Sequence, residues 1–374
     1  MKSSVYFADL RATPKDNLLK KIGWLLDAAG LQDKINERDL VAVKLHFGEG
    51  GNTAFVRPVY VAKIVESVRR QGAFPFLTDA NTLYAGTRSD APIHLTTAIR
   101  NGFAYSVVNA PLIIADGLRG NNDVAVPIHQ KHFKKVYIAS DIVHADSLIA
   151  VSHFKGHELS GFGGALKNLG MGCASRRGKM MQHSTVSPKI TQKKCQGCGT
   201  CLEYCAQGAI AISNNKARID PEKCIGCGEC IIVCPNRAIQ IQWNQEVPVF
   251  QESMVEYADG VLRNKKNRTI FVNFVMQVSP ACDCYGYNDA PIVRDIGILA
   301  SSDPVAIDQA SFDLINQEDC IKGCSLPERC RPGDDKFRAI YPNVDGTIQL
   351  DYAAKIGLGN REYELHHLRS GQRQ

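Results

Sequence analysis

Apolar stretches separated by helix-period segments recur along most of the chain. Residues 5–8 form a short apolar run that predicts a first strand. Thr13-Pro14-Lys15-Asp16 then offers a cap followed by proline, which predicts a helix running to about Gly30. Residues 40–47 (LVAVKLHF) predict a buried strand ending in the loop 48–52, and Pro58 opens a helix with apolar Val59, Ala62, Ile64, Val65 and Val68. A strand over 74–78 ends at Asp79-Ala80-Asn81-Thr82. Two strand–loop–helix units in succession imply right-handed crossovers and a largely parallel sheet. The pattern continues with a helix over 93–102, a strand over 112–115, a pair of short strands over 124–128 and 136–138, and a strand over 147–151. It resumes with a helix over 251–262, strands over 268–276 and 296–300, and a helix capped by Asp303 before Pro304. A short helix over 352–356 and an edge strand over 362–368 close the chain.

Between these halves the α/β pattern stops and cysteines take over. They fall as Cys195-x2-Cys198-x2-Cys201-x3-Cys205 and Cys224-x2-Cys227-x2-Cys230-x3-Cys234-Pro235. Three thiolates so spaced wrap three irons of a cubane, and the fourth ligand comes from the other run. The expected sets are therefore Cys195, Cys198, Cys201 and Cys234 for one 4Fe–4S cluster, and Cys224, Cys227, Cys230 and Cys205 for the second. Gly197, Gly199, Gly226 and Gly228 lie between ligands, where the backbone must turn tightly. Paired zinc sites use two CxxC units and do not explain a third and fourth cysteine. The expected architecture is a split α/β domain, residues 1–187 and 243–374, with an inserted α+β ferredoxin-like domain over residues 188–242. Polar stretches at 184–194 and 242–248 mark its boundaries.

The 374 residues, 44% hydrophobic and 22% charged, are ordinary globular composition and long enough for two or three domains. No apolar run reaches the roughly 18 residues of a membrane span. Residues 1–10 show no apolar signal-peptide core, so a cytoplasmic location is expected. There, the 14 cysteines point to metal ligation rather than bridges. A net charge of +6 is too mild for a nucleic-acid footprint and favours a small anionic ligand.

The cysteine block resembles the bacterial two-cluster ferredoxins, with Ala206 standing where that family's first run has proline. A second constellation lies just before it. Ser152-His153-Phe154-Lys155-Gly156-His157-Glu158 follows a strand end, and Gly161, Gly163 and Gly164 precede a helical start. Amides there would hold an anion at the carboxyl edge of the sheet, where Asp79 and Asn81, with His46 and Glu49, also end strands. The bland alternative is that the glycines serve packing and the run Arg176-Arg177-Gly178-Lys179 is solvated surface. Cys282-Asp283-Cys284 follows another strand; the two thiols are candidate soft-metal ligands or a redox pair. Cys320, Cys324 and Cys330 match no metal motif and are read as free thiols, and Asp308 as a helix-dipole partner or site residue.

The segments KLHFGEGGNTAFVRP, FLTDANTLYAG, SHFKGHELSGFGGALKNLGMGCA and CDCYGYNDAPIVRDIGILASSDPVAID resemble the family called domain of unknown function 362 over nearly the whole chain. That resemblance implies the fold and the ferredoxin insert but no reaction. A more distant similarity runs to the lactate racemase family, through the spacing of His157, Lys167 and His183 around the glycine loop. It implies that His157 moves protons while Lys167 and His183 hold a nickel-type cofactor. The expected function is an iron–sulfur redox protein, with electrons passing between a partner such as ferredoxin and a ligand site in the α/β domain. A flavin would match one-electron relay to two-electron chemistry, and no fingerprint marks one. The rival expectations are a racemase-like enzyme with structural clusters and a non-enzymatic redox sensor.

Overall fold

A computed structural model describes residues 2–184, 187–242, 245–328 and 330–368. One eight-stranded sheet organises it, in the order Tyr363–His367, Ser3–Asp9, Gly297–Ser301, Thr269–Val275, Ser147–His153, Leu40–Lys44, Phe74–Asp79 and Leu112–Ile114. Gly297–Ser301 alone runs antiparallel to both its neighbours, and every other pairing is parallel. The expected largely parallel α/β sheet is thus present.

Both faces of the central strands are covered, which is why these strands are apolar runs rather than alternating ones. Leu148 and Ala150 point into one core with Ala165, Leu166, Leu169, Val255 and Val305. Ile149 and Val151 point into the other, with Ile22, Leu25, Val61, Ile64 and Val68. Helices Ala165–Gly170, Val247–Leu262, Pro304–Gln317 and Thr347–Lys355 therefore cover one face, and Leu18–Ala28 and Pro58–Arg70 the other.

Two expectations need correction. The first helix starts at Leu18, because Thr13 and Asp16 close a turn on each other and Asn17 provides the cap to Lys20. Cys320 and Cys330, read as free thiols, form a disulfide. The bridge of Cys320 to Val293 and the turn from Pro327 to Cys330 bring their Cα atoms to 6.2 Å. Asp303 caps its helix as expected, accepting from Val305 and Ala306.

The cysteine block carries its own small sheets, Lys189–Ile190 with Ile239–Gln240 and Ile210–Ser213 with Lys216–Ile219. Its core is separate and small, built on Ile210, Ala217, Ile231, Ala238 and Ile239 with Cys195 and Cys201. Of the expected linkers, residues 185–186 and 243–244 lie outside the described residues. Among the described residues no helix is long and apolar enough to cross a membrane.

Lys265 is fully buried, donating to the carbonyls of Val143 and Ala145, and among the described residues no carboxylate pairs with its Nζ. Burial lowers its pKa to about 8. The unfolded chain therefore binds the extra proton between about pH 8 and the ordinary lysine value, and stability rises with pH across that window by about 1.4 kcal/mol per unit. Urea titrations at pH 8 and pH 10 are expected to show a rise in stability that is smaller in Lys265→Met than in the wild type, the remainder coming from Lys179, which burial also lowers to about 8.

Candidate functional site

The eight thiols of the cysteine block line two cavities. Cys205, Cys224, Cys227 and Cys230 line one, and Cys195, Cys198, Cys201 and Cys234 the other. Each cavity thus takes three cysteines from one run and the last cysteine of the other. The glycines between them, 197, 199, 226 and 228, all have positive φ, from 66° to 84°. Backbone amides aim at sulfur: Ala217 at Cys195 (3.3 Å), Ala209 at Cys205 (3.3 Å) and Ala238 at Cys234 (3.2 Å). Burial pushes the thiols of Cys201, Cys224 and Cys230 up, and neighbouring cysteines push the same way. Four thiolates in one such cavity therefore need a cationic core beside them. The donor set, spacing and N–H···S contacts fit an iron–sulfur cubane in each.

The cavity lined by Cys205, Cys224, Cys227 and Cys230 also borders Gly120, Asn121, Asp123 and Arg177 of the α/β domain. Helix Arg176–His183 lies under it, with Met180 Cγ 3.5 Å from where a Cβ on Gly226 would sit. Glu229 anchors the block, accepting from Arg176 (2.9 Å) and Arg119 (3.3 Å). Arg176 is 1% exposed and also donates to the carbonyls of Thr82 and Ser89. Arg177 stacks 3.7 Å over the Tyr137 ring, and Lys179 is buried against the Ala174 carbonyl. The basic run is thus an internal joint and not a solvated face.

The far end of that helix reaches the carboxyl edge of the sheet. His183 stacks on Phe250 at 4.8 Å between ring centroids, and His157 lies parallel to the same ring at 6.5 Å. Burial lowers the His183 imidazole to about 3, and burial with Lys167 and His183 nearby holds His157 well below the usual value. His157 Nδ1 accepts from the amides of Leu159 (3.1 Å) and Ser160 (3.2 Å). Lys167 Nζ lies 3.4 Å from Cys282 Sγ. Cys282, Cys284 and His157 place one ligand-type atom each within 4.8 Å of one another, a grouping able to hold a metal. The loop that carries the two thiols is clamped through Asp283, which faces His153 (2.8 Å) and Lys155 (3.4 Å) and whose carbonyl accepts from Glu49. Burial opposes its charge, yet His153 and Lys155 hold the Asp283 carboxyl well below the usual range.

His157, Lys167, His183, Cys282 and Cys284 are thus brought together. The glycine loop is used differently from the expectation. The amides of Ala165 and Leu166 bond to Asp308 (2.7 and 2.9 Å), so the anion at this helix start is the chain's own carboxylate. Gly164 is where Asp308 approaches, since a Cβ would sit 2.2 Å from its Oδ1. Gly161 packs on Gly346, and Gly163 leaves room for Lys167. Asp79 and Asn81 also turn inward. Asp79 pairs with Lys44 (2.9 Å) and Arg88 (3.3 Å), and Asn81 bonds to Asp116 (2.9 Å). Burial would raise Asp79, but Lys44 and His94 hold it well below the usual range. These two are framework for the loop. Asp283, Lys155 and Phe250 were missed; the only trace was an acid between two cysteines and a lysine between two histidines.

The glycine loop and the strand-end loops lie within the span of one family model, which matches residues 41–313. The chain belongs to the family described as domain of unknown function (DUF362). No curated protein matches the sequence. Among solved structures, the lactate racemase apoprotein from Thermoanaerobacterium thermosaccharolyticum is similar at 13% identity and a TM-score of 0.42, over 84% of this chain and 57% of that one. A structural-genomics protein from Thermotoga maritima is similar at 10% identity and a TM-score of 0.36, over 76% of this chain and 54% of that one. The chain spans little more than half the length of either structure.

Proposed function

We propose that this member of the family is an iron–sulfur redox protein. Its cysteine block binds two 4Fe–4S clusters and passes electrons, singly, to or from a ligand in the crevice around His157, Lys167 and Cys282. One observation carries the reading: the two cavities each draw three cysteines from one run and a fourth from the other. The route is supported by helix Arg176–His183, which touches the cluster block at Met180 and the crevice at His183. Eight helical residues span roughly 12 Å. The partner that loads the clusters is a one-electron carrier of the ferredoxin type, met in the cytoplasm.

Anaerobically purified protein is expected to hold about eight irons and as many sulfides per chain. Dithionite is expected to produce a low-temperature paramagnetic signal. Protein without iron and acid-labile sulfide under these conditions would overturn the proposal.

A second reading is favoured by one observation, the convergence of His157 and His183 on the Phe250 ring with Lys167 nearby. In it the clusters are structural and the crevice serves a racemase-type enzyme, where Lys167 and His183 would hold a nickel-type group and His157 a proton. Nickel that co-purifies with the wild type and is absent from Lys167→Ala and His183→Ala would move the assignment to it.

A further inference from the structure

We propose that Cys282 and Cys284 form a dithiol–disulfide centre that ends the relay and reduces a small external disulfide. This rests on the proposed function, because the clusters are what supply its electrons.

The two sulfurs are neighbours, within 4.8 Å of each other, on a loop that cannot swing away. Asp283 is held on one side by His153 and Lys155, and the Cys284 carbonyl accepts from the Tyr84 hydroxyl (2.8 Å). The intervening acid thus pins the loop while its flanking thiols remain together. Cys282 Sγ receives the Cys284 amide (3.3 Å) and the Lys167 ammonium (3.4 Å), a shell that stabilises a sulfur anion. The Cys284 thiol donates to it as well, and against burial these contacts lower the Cys282 thiol to about 5 while the Cys284 thiol is raised. With the two sulfurs adjacent and the Lys167 ammonium facing Cys282, the pair is placed to share one proton as thiol and thiolate.

The His157 ring argues for thiol chemistry over a three-ligand metal. Its Nδ1 is taken by two backbone amides, so the neutral ring keeps its proton on Nε2. Metal-bound histidines are usually arranged the other way, donating their free nitrogen to an acceptor. Cys282 is 1% exposed, whereas Cys284 is partly exposed, so an external disulfide meets Cys284 first.

The step balances as follows. Cys284 passes its proton to Cys282 and attacks one sulfur of R–S–S–R′, releasing R′S⁻ and leaving Cys284 joined to RS. Cys282 then attacks Cys284 Sγ, its proton leaves with RS as RSH, and the internal disulfide forms. Two electrons, passed one at a time from the clusters, and one proton restore the thiol–thiolate pair. The net change is R–S–S–R′ + 2 e⁻ + H⁺ to RSH + R′S⁻. Two one-electron centres can together hold the two electrons that one disulfide takes.

The test uses the full anaerobic protein, reduced methyl viologen as donor and 2-hydroxyethyl disulfide as acceptor. Viologen oxidation dependent on the disulfide is expected. Cys282→Ser and Cys284→Ser should each lower the rate on the order of 100-fold or more while their clusters are still reduced by viologen. Mass spectrometry of the alkylated peptide around residues 282–284 should show both thiols blocked in reduced protein and neither after one disulfide turnover. Clusters that reduce normally, with a serine-variant rate equal to wild type or a peptide that never cycles, would overturn this inference and leave the relay standing. Zinc or nickel that protects both thiols from alkylation, and is lost in the serine variants, would overturn it in favour of a metal. If no cluster assembles, the relay reading fails separately. Dithiothreitol-reduced protein treated with the same disulfide then still decides whether the pair oxidises.

Discussion

Replacing Cys234 with serine is expected to remove the iron centre from the cavity lined by Cys195, Cys198 and Cys201. Cys205→Ser should instead remove the centre from the cavity lined by Cys224, Cys227 and Cys230. Each variant should retain about half the iron, roughly four atoms per chain. The reason is the crossed arrangement, in which the last cysteine of each run lines the cavity of the other. A serine hydroxyl is a far poorer ligand than a thiolate, and the surrounding core is too thin to compensate. It consists of Ile210, Ala217, Ile231, Ala238 and Ile239 with a few flanking side chains. In so small a unit the metal contributes folding free energy directly. Hydrogen exchange across 188–242 should therefore accelerate in both variants while the strand Thr269–Val275 stays protected. Electron paramagnetic spectra provide the decisive comparison. Cys234→Ser should lose the same signal as Cys198→Ser, and Cys205→Ser the same signal as Cys227→Ser. Loss shared instead by Cys205→Ser and Cys198→Ser would mean that each run holds its own cluster.

Most of the sheet could be read from the chain because central parallel strands are apolar on both faces and end at polar loops. Ser147–His153 and Thr269–Val275 announce themselves by that rule, and the reversed strand Gly297–Ser301 does not differ from them in composition. Its direction is a tertiary fact, set by pairing with Ser3–Asp9 on one side and Thr269–Val275 on the other. The division of the eight cysteines between two cavities was legible because their spacing in the chain is itself geometry. The group around Cys282 was half legible. His157, Lys167 and His183 are local neighbours in the chain, and Cys282 and Cys284 reach them from 115 residues beyond Lys167. Charged residues misled most. Asp308, read as a helix-dipole partner or site residue, fills the anion position of a helix other than its own, with Asn273 also donating to it at 2.8 Å. The alternative of a solvated surface fails for Arg176 and Lys179, which are buried: Arg176 because its partner Glu229 lies 53 residues further on, and Lys179 because it folds back on the carbonyl of Ala174 in its own segment.

Arg176→Ala is expected to destabilise the protein by about 3–5 kcal/mol, the cost of leaving one member of a buried ion pair without its partner. Glu229 would keep only Arg119, whose side chain is 47% exposed, and the carbonyls of Thr82 and Ser89 would lose a donor. Arg177→Ala is the control, since it removes a ring contact with Tyr137 and should cost about 1 kcal/mol. A double-mutant cycle with Glu229→Ala should show a coupling of about 1 kcal/mol or more, because the two side chains share a direct contact. Thermal unfolding within about 0.5 kcal/mol of wild type would show that Arg176 bears no such load. The functional consequence separates docking from assembly. The eight cysteines are untouched by this change, so iron content should stay near that of the wild type. What should fall is transfer from reduced clusters to an acceptor in the crevice, because Glu229 seats the block on the helix that leads to His183. A variant that keeps its iron and its cluster reduction but slows disulfide-dependent reoxidation would locate the junction of the relay at Arg176. If reoxidation is unchanged despite the lost stability, electrons leave the clusters by another face.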